Sequence, residues 1–99
     1  MSRAIVVRYE ARADAAEHNQ VLIERVFEEL NTRAPGGFRY TALRLADGVG
    51  FVHIAVFDGE ADPLTESGTF QAFQNGVDER LIGPPVVTSA SIVGSYNPN

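Results

Sequence analysis

The sequence predicts an α+β domain in which four strands and two helices follow one another in the order βαββαβ. Three observations predict it: alternating apolar residues early in the chain and on both sides of Asp47-Gly48, helical spacing of apolar residues in two other segments, and a β-branched run near the end. The 99 residues suit one domain, so 1–99 is treated as a single domain. A chain this short buries only about 60–70% of its unfolded surface, which favours a second chain as cover.

The first strand and the first helix are predicted within the first third of the chain. The strand is expected over 3–10, with one face made of Ile5, Val7 and Tyr9 and the other of Ala4, Val6 and Arg8. Asp14 and Glu17 have the spacing of a capping box, so the helix is expected from there to about Thr32. Its apolar residues recur at helical spacing: Leu22, Ile23, Val26, Phe27 and Leu30.

A hairpin is predicted from Phe38 to Phe57 around a two-residue type I′ turn at Asp47-Gly48. This turn sets the register, in which the cross-strand pairs on one face are Arg44 with Phe51, Ala42 with His53, Tyr40 with Ala55, and Phe38 with Phe57. The opposite face carries Arg39, Thr41, Leu43, Leu45, Val52, Ile54 and Val56. One face of the hairpin is therefore aromatic, with a histidine and an arginine, and the other is aliphatic.

The two faces need different covers. The aliphatic face is expected to receive the helices, because leucine and β-branched side chains suit layered packing. The aromatic face is then expected to remain open in the single chain, where it lines a cavity or meets a second subunit.

The second half of the chain adds a loop, a helix and a strand. The loop is acidic and spans 58–63. The helix begins at Thr65 or Ser67, and its apolar stripe consists of Phe70, Phe73, Val77 and Leu81. Gly83-Pro84-Pro85 is expected to end this helix, and 86–94 to form the last strand.

This order of elements is that of the split βαβ, or ferredoxin-like, fold. Such a domain has a four-stranded antiparallel sheet with both helices on one face. Its first and third strands are expected in the centre of the sheet, in agreement with their apolar character on both sides.

Two segments make the chain resemble the antibiotic biosynthesis monooxygenase (ABM) domains of the dimeric α+β barrel superfamily. They are 51–57, FVHIAVF, and 63–73, PLTESGTFQAF, in which Leu64 stands where those domains most often have a histidine. The resemblance implies a homodimer in which two ferredoxin-like sheets form a barrel and a small aromatic or apolar molecule binds inside. It also implies cofactor-independent oxygenation of an aromatic, polycyclic or quinol-like substrate.

Composition excludes several other classes. The net charge is −5, and all eight basic residues are arginines scattered along the chain, so nucleic acid is not an expected partner. No apolar run approaches the roughly 20 residues that cross a bilayer and no signal sequence opens the chain, which predicts a cytoplasmic protein without membrane contact. With no cysteine and only two histidines, no metal site and no cofactor are expected.

The strongest candidate for chemistry is His53, because a histidine in mid-strand can accept or donate a proton near neutral pH. Tyr40 and Arg44 are its diagonal neighbours and are predicted to stabilise negative charge on a substrate oxygen. Each has a structural alternative: a hydrogen-bonded interface histidine, an interface aromatic, and an arginine paired with an acidic residue.

Four phenylalanines are candidates for substrate binding: Phe51, Phe57, Phe70 and Phe73. They could surround a flat ligand, or they could simply belong to the hydrophobic core. Two functions follow from the sequence, a cofactor-independent monooxygenase and a non-catalytic dimeric module for ligand binding or stress response.

Overall fold

The computed structural model describes residues 3–59 and 62–96. Residues 60 and 61 of the predicted acidic loop, and the two ends of the predicted domain at 1–2 and 97–99, lie outside the described residues. The elements in chain order are β1 (Arg3–Ala11), α1 (Ala16–Arg33), β2 (Phe38–Arg44), β3 (Gly50–Phe57), a 3-10 turn (Pro63–Glu66), α2 (Gly68–Gln74), α3 (Val77–Arg80) and β4 (Leu81–Ala90).

The sheet has the strand order β2-β3-β1-β4, and all neighbouring strands are antiparallel. The first and third strands are therefore central, which confirms the ferredoxin-like arrangement. The predicted hairpin register is also confirmed, since Ala42 lies opposite His53 and Tyr40 opposite Ala55.

The turn of the hairpin differs from the two-residue type I′ turn. The Gly48 N–H donates to the Leu45 carbonyl, and only Gly48 has a positive φ in the loop. The Asp47 carboxylate accepts from the Val49 and Gly50 N–H groups at 3.0 and 2.8 Å. These bonds stabilise a longer loop with the same register, because the closing pair Leu45–Gly50 has the same offset.

The assignment of the two sheet faces from the sequence is wrong. The aromatic face packs against the helices: Phe51 belongs to one buried cluster with Leu22, Val26 and Leu30 of α1. The aliphatic face is the open one, where Leu43 is 46% exposed. Aliphatic side chains on a strand were not a sufficient guide to the face that the helices cover. The helices carry aromatic rings that stack on the aromatic rings of the sheet, such as Phe27 on Tyr40 with centroids 5.1 Å apart.

The start of α1 also differs from the prediction. Ala15 is the N-cap residue, without a side-chain cap, so Asp14 and Glu17 do not form a capping box. Asp14 instead pairs with Arg12 at 3.4 Å, which removes its carboxylate from the helix terminus.

The predicted second helix is interrupted. Ser67 is the N-cap of α2, as expected, and its hydroxyl accepts from the Phe70 N–H at 3.0 Å. The helix then breaks at Asn75 and Gly76, and Gly76 has a φ of 74°. The Arg80 guanidinium donates to the carbonyls of Phe73 and Asn75, which would otherwise bond further along a continuous helix.

Gly83-Pro84-Pro85 lies inside β4 rather than before it. Ile82 pairs with Glu10 and Val86 with Arg8, so three residues of β4 lie opposite the single residue Tyr9 of β1 and form a bulge. Proline has no N–H to donate to β1, and a bulge in an edge strand accommodates it. The last strand consequently begins at Leu81 and ends at Ala90 instead of spanning 86–94.

Glu29 joins α1 to the start of α2. One of its carboxylate oxygens accepts from the Ser67 hydroxyl at 2.7 Å, from the Thr69 N–H at 3.1 Å and from the Thr69 hydroxyl. These hydrogen bonds, with the Thr69 hydroxyl first, lower the pKa of Glu29 to about 2. The contact fixes the position of α2 and of the two phenylalanines it carries.

The low pKa of Glu29 predicts that part of the stability depends on pH. Because the pKa is lower in the folded chain than the ordinary 4.5, the contribution is fully present above about pH 4.5 and is lost as the pH falls towards 2. In urea unfolding, Glu29→Gln should destabilise the protein at pH 6 and much less at pH 3. Glu28→Gln, at an exposed neighbour, is the control; an equal loss at both pH values would contradict the prediction.

Candidate functional site

A cavity of about 190 Å³ lies between the sheet and the second helical segment. Its walls are mostly apolar: Ile5 and Val7 of β1, Ala55 and Phe57 of β3, and Leu64, Phe70 and Phe73 from the helical side. Three polar side chains, Tyr9, Tyr40 and His53, line the same space, and Asp62 and Gln74 complete its boundary. An apolar cavity with a few convergent polar groups is typical of a small-molecule site.

His53 is held between two tyrosines. The Tyr9 hydroxyl lies 2.7 Å from Nε2, and the Tyr40 hydroxyl lies 2.6 Å from Nδ1. The positions follow from the sheet, because Tyr40 is diagonal to His53 on β2, and Tyr9 lies two residues after Val7, the partner of His53 on β1, and so is diagonal to His53 as well. Both ring nitrogens of His53 are therefore hydrogen-bonded to a tyrosine. A ligand in the cavity would form its hydrogen bond with a tyrosine hydroxyl and not with the imidazole.

The rings of the two tyrosines are fixed by stacking. Tyr9 stacks on Phe51 with centroids 5.4 Å apart, and Tyr40 stacks on Phe27. The Phe73 ring lies 5.7 Å from the His53 ring on the helical side. These ring contacts therefore hold the hydroxyl groups of Tyr9 and Tyr40 within hydrogen-bond distance of the imidazole.

The hydrogen-bond chain continues from Tyr9 into the protein interior. The Asn19 side-chain NH₂ donates to the Tyr9 hydroxyl at 2.9 Å, and the Arg80 Nε–H donates to the Asn19 Oδ1 at 3.0 Å. Asn19 is completely buried and Arg80 is 6% exposed. The complete chain is Arg80–Asn19–Tyr9–His53–Tyr40.

Burial keeps the cavity side of this chain uncharged at neutral pH. Desolvation lowers the pKa of His53 to about 4, because the imidazolium is disfavoured away from water. Desolvation also raises the pKa of Tyr9 to about 12, although the Asn19 hydrogen bond acts in the opposite direction. The pKa of Tyr40 rises further, through desolvation and the neighbouring Tyr9.

The three groups carry more protons than they can share. Neutral Tyr9, His53 and Tyr40 have one O–H or N–H proton each, while only two hydrogen bonds join them. In either tautomer of His53, one tyrosine proton has no acceptor among the residues that the structure describes. The cavity therefore offers a hydrogen-bond donor to a ligand oxygen.

The structure brings together some of the residues that the sequence singled out. Tyr40, His53, Phe57, Phe70 and Phe73 all line the cavity. Phe51 does not; it is 1% exposed and lies in the core behind Tyr9.

Arg44 also lies outside the cavity. It donates to the Gly48 carbonyl at 2.9 Å, to Gln20 at 2.8 Å and to the Glu17 carboxylate at 2.7 Å. These contacts correspond to its structural alternative, an arginine paired with an acidic residue, here within one chain.

Sequence reasoning missed Tyr9, Asn19 and Arg80. The signal for Asn19 was present, because a polar residue there falls on the apolar stripe of α1, one turn before Leu22 and Ile23. Tyr9 alternates with Ile5 and Val7 and so had to share their face. Arg80 gave no signal, since its contact with Asn19 spans 61 positions of the chain.

Within 3–59 and 62–96, no group of three or more histidine, aspartate or glutamate side chains is placed to hold a metal ion. In the same residues, no helix has both the length and the apolar character needed to cross a membrane.

No protein-family model matches the sequence, and no curated protein matches it. Solved structures do resemble it. A protein of Nitrosomonas europaea, described as a candidate antibiotic biosynthesis monooxygenase, is 18% identical with a TM-score of 0.76, over 93% of this chain and 90% of that one. A Mycobacterium tuberculosis protein is 22% identical with a TM-score of 0.73, over 98% and 100%.

A third similar structure is a variant of SnoaB, a cofactor-independent oxygenase from Streptomyces nogalater. It is 17% identical with a TM-score of 0.66, and the similarity covers 95% of each chain. Identities this low concern the fold alone. The resemblance inferred from 51–57 and 63–73 is confirmed at that level: the chain has the ferredoxin-like α+β fold of the antibiotic biosynthesis monooxygenase domains.

Proposed function

We propose that this protein binds a small aromatic or quinol-like molecule in the cavity beside His53 and oxygenates it without a cofactor. The observation that carries the proposal is the unshared tyrosine proton, which offers a hydrogen bond to a ligand oxygen within apolar walls. The similarity in fold to a cofactor-independent oxygenase supports the type of reaction.

The cavity volume limits the size of the ligand. A cavity of about 150 Å³ is enough for benzene, and this one measures about 190 Å³. A molecule with one or two rings fits, whereas the polycyclic substrates considered from the sequence exceed the space. Tyr9, Tyr40 and His53 are uncharged at neutral pH, and Asp62 and Gln74 at the boundary supply no positive charge, so the cavity does not favour an anionic ligand.

The proposed reaction begins with a ring CH₂ of the keto form of a phenol or quinol. One proton passes through a tyrosine hydroxyl to His53, while the other tyrosine donates to the substrate oxygen on which negative charge grows. The carbanion gives one electron to O₂, the two radicals join in a C–O bond, and the protonated peroxide loses water. The balance is R₂CH₂ + O₂ → R₂C=O + H₂O.

Proton transfer to His53 is the demanding step. The carbanion and the phenolate are the same delocalised anion, and the phenol has a pKa of about 10. Because the pKa of His53 is about 4, forming this anion from the phenol form costs about 8 kcal/mol before the charges attract each other. A turnover of about 1 per second allows a total barrier of about 17 kcal/mol. The step is therefore compatible with a slow enzyme. The same low pKa favours the second function that the sequence left open, ligand binding without catalysis.

Oxygen uptake separates the two functions. The wild-type protein is mixed with 1-naphthol, with 1,4-dihydroxynaphthalene and with the tricyclic anthrone, and uptake is compared with the buffer alone. His53→Ala should abolish the protein-dependent rate, whereas His18→Ala, at an exposed histidine, should not change it. Tyr40→Phe is compared in the same way with Tyr96→Phe, since Tyr96 is 85% exposed. If 1-naphthol binds but no oxygen is consumed, the protein is a ligand-binding protein and not an oxygenase. Equal rates of oxygen uptake in His53→Ala and wild type would refute the mechanism.

We also propose that the protein is a homodimer in which the open sheet face is covered by a second copy. This face carries exposed aliphatic side chains, among them Leu43, Ile82 and Val86 at 46%, 57% and 52%. Half-buried Val52, Ile54 and Val56 complete the patch. An apolar patch of this kind is typical of an interface.

Light scattering after size-exclusion chromatography tests the dimer. Wild type should have about twice the 10.7 kDa chain mass, and Val86→Glu should shift the protein towards the monomer. Val21→Glu, at a 39% exposed valine of α1, is the control. A wild-type protein that is monomeric at micromolar concentration would contradict this proposal.

A further inference from the structure

We propose that Arg80 and Asn19 are positioning residues that set the direction of the hydrogen-bond chain, so that Tyr40, rather than Tyr9, presents its proton to an acceptor oxygen of the ligand. The inference rests on the proposed function only for the ligand. The direction of the chain itself is a property of the protein alone.

The direction begins at Arg80, which can only donate. Its guanidinium is buried, with Nε 3.0 Å from Asn19 Oδ1, one terminal nitrogen 3.1 Å from the Asn75 carbonyl and the other 2.5 Å from the Phe73 carbonyl. No carboxylate pairs with it among the described residues. Its three acceptors hold it in one orientation and keep Nε aimed at Asn19.

Arg80 fixes the side chain of Asn19. Because an arginine nitrogen never accepts, the atom of Asn19 that faces it must be the oxygen. The Asn19 NH₂ group must then face the Tyr9 hydroxyl and donate to it at 2.9 Å. In the flipped orientation of the amide, the Asn19 NH₂ group would face the Arg80 Nε–H, so that two donors would point at each other.

Tyr9 therefore enters its contact with His53 as an oxygen that already accepts one hydrogen bond. Its remaining proton is directed to Nε2 of His53, 2.7 Å away, which is the only other polar partner of Tyr9 in the described chain. Desolvation raises the pKa of both tyrosines, but at Tyr9 the Asn19 hydrogen bond and the charge of Arg80 offset part of this rise, which makes Tyr9 the better donor of the two.

The tautomer of His53 follows. With its Nε2 lone pair taken by Tyr9, the imidazole carries its proton on Nδ1 and donates it to the Tyr40 oxygen at 2.6 Å. The Tyr40 hydroxyl proton is then left for the ligand. During the proposed reaction Tyr9 would pass the substrate proton to Nε2, and the resulting imidazolium would strengthen the donation by Tyr40 to the substrate oxygen.

Nitrogen NMR of the imidazole tests the direction without ligand or activity. Long-range ¹H–¹⁵N spectra of the full chain at pH 7.5, above the pKa of about 4, report which nitrogen of His53 holds the proton. Wild type should show the Nδ1–H form, the opposite of a histidine free in water. Exposed His18 provides the internal reference.

Asn19→Asp should reverse the chain with almost no change of shape. A carboxylate accepts on both sides, so Tyr9 would donate to it, His53 would donate from Nε2 to Tyr9, and Tyr40 would donate to Nδ1. His53 should then switch to the Nε2–H form, while Asn31→Asp, at an exposed position of α1, should leave it unchanged. An Nε2–H form in wild type, or an unchanged Nδ1–H form in Asn19→Asp, would overturn the inference; if that variant fails to fold, the wild-type spectrum still decides.

Affinity for 1,4-naphthoquinone is the second readout, because its oxygens only accept and the chain has no cysteine that could react with it. Asn19→Asp should weaken quinone binding on the order of 3- to 10-fold, the contribution of one hydrogen bond, and leave the binding of naphthalene unchanged. Asn19 does not line the cavity, so a purely local role would not produce this difference. A wild-type protein that binds neither compound would refute the proposed function, while the tautomer result would stand separately.

Discussion

Replacement of Phe73 by alanine should lower the free energy of unfolding by about 3–5 kcal/mol, the usual loss when a buried phenylalanine is truncated. Phe73 is 6% exposed, and its ring lies between His53 at 5.7 Å and Phe70 at 6.1 Å. The Arg80 guanidinium also lies 5.2 Å from the ring centroid. Phe73 therefore contacts the cavity, the core and the buried arginine at once.

Such a loss is large for a domain of this size, since the total stability of most domains is about 5–15 kcal/mol. Urea unfolding followed by circular dichroism measures it. Phe70→Ala is the matched control, because Phe70 is on the same helix and is only half-buried, so its truncation should destabilise less. Equal losses for the two variants would mean that Phe73 is not the residue that anchors α2.

The hairpin of β2 and β3 could be predicted from the sequence because its information is local. Alternation and a single turn fixed which residues of the hairpin face each other, and the same offset holds although the turn itself is longer. Tyr40 and His53 were placed together by that register alone. The hydrogen bond between their side chains at 2.6 Å was not predicted, because it also depends on rings from the helices that pack against Tyr40 and His53.

The choice of face could not be made in this way. Both faces of the hairpin are apolar, and which one meets the helices depends on the rings that the helices supply, such as Phe27 against Tyr40 and Phe73 against His53. These contacts join distant parts of the chain and leave no periodic signal. The position of Arg80 at the buried end of the hydrogen-bond chain could not be predicted for the same reason, because its partner Asn19 is 61 positions away.

The break between α2 and α3 shows how one buried side chain, Arg80, accompanies a change of local structure. Helical spacing through Val77 and Leu81 favoured a continuous helix, but the buried guanidinium of Arg80 takes the carbonyls of Phe73 and Asn75. A buried charge requires hydrogen-bond partners. The helix therefore ends where these carbonyls bond to Arg80, whose burial also depends on its long-range contact with Asn19.

Filling the cavity should abolish ligand binding while leaving the hydrogen-bond chain intact. Ala55 is 7% exposed, lies between His53 and Phe57 on β3, and lines the cavity. A single aromatic ring is the guest that a cavity of about 150 Å³ holds, so the ring introduced by Ala55→Phe occupies most of the available 190 Å³. Affinity for 1-naphthol should fall by at least about 100-fold, which corresponds to about 2.7 kcal/mol.

Calorimetric titration of 1-naphthol into Ala55→Phe, wild type and Ala72→Phe measures this effect, since Ala72 is exposed on α2 and its substitution leaves the cavity empty. The His53 tautomer, recorded on the same samples, shows whether the chain has survived the larger side chain. With an unchanged tautomer, lost binding places the ligand in the cavity rather than on the open sheet face. Undiminished affinity in Ala55→Phe would move the ligand out of this cavity and remove the basis of the proposed reaction, because no proton could then pass from the substrate to His53 through Tyr9 or Tyr40.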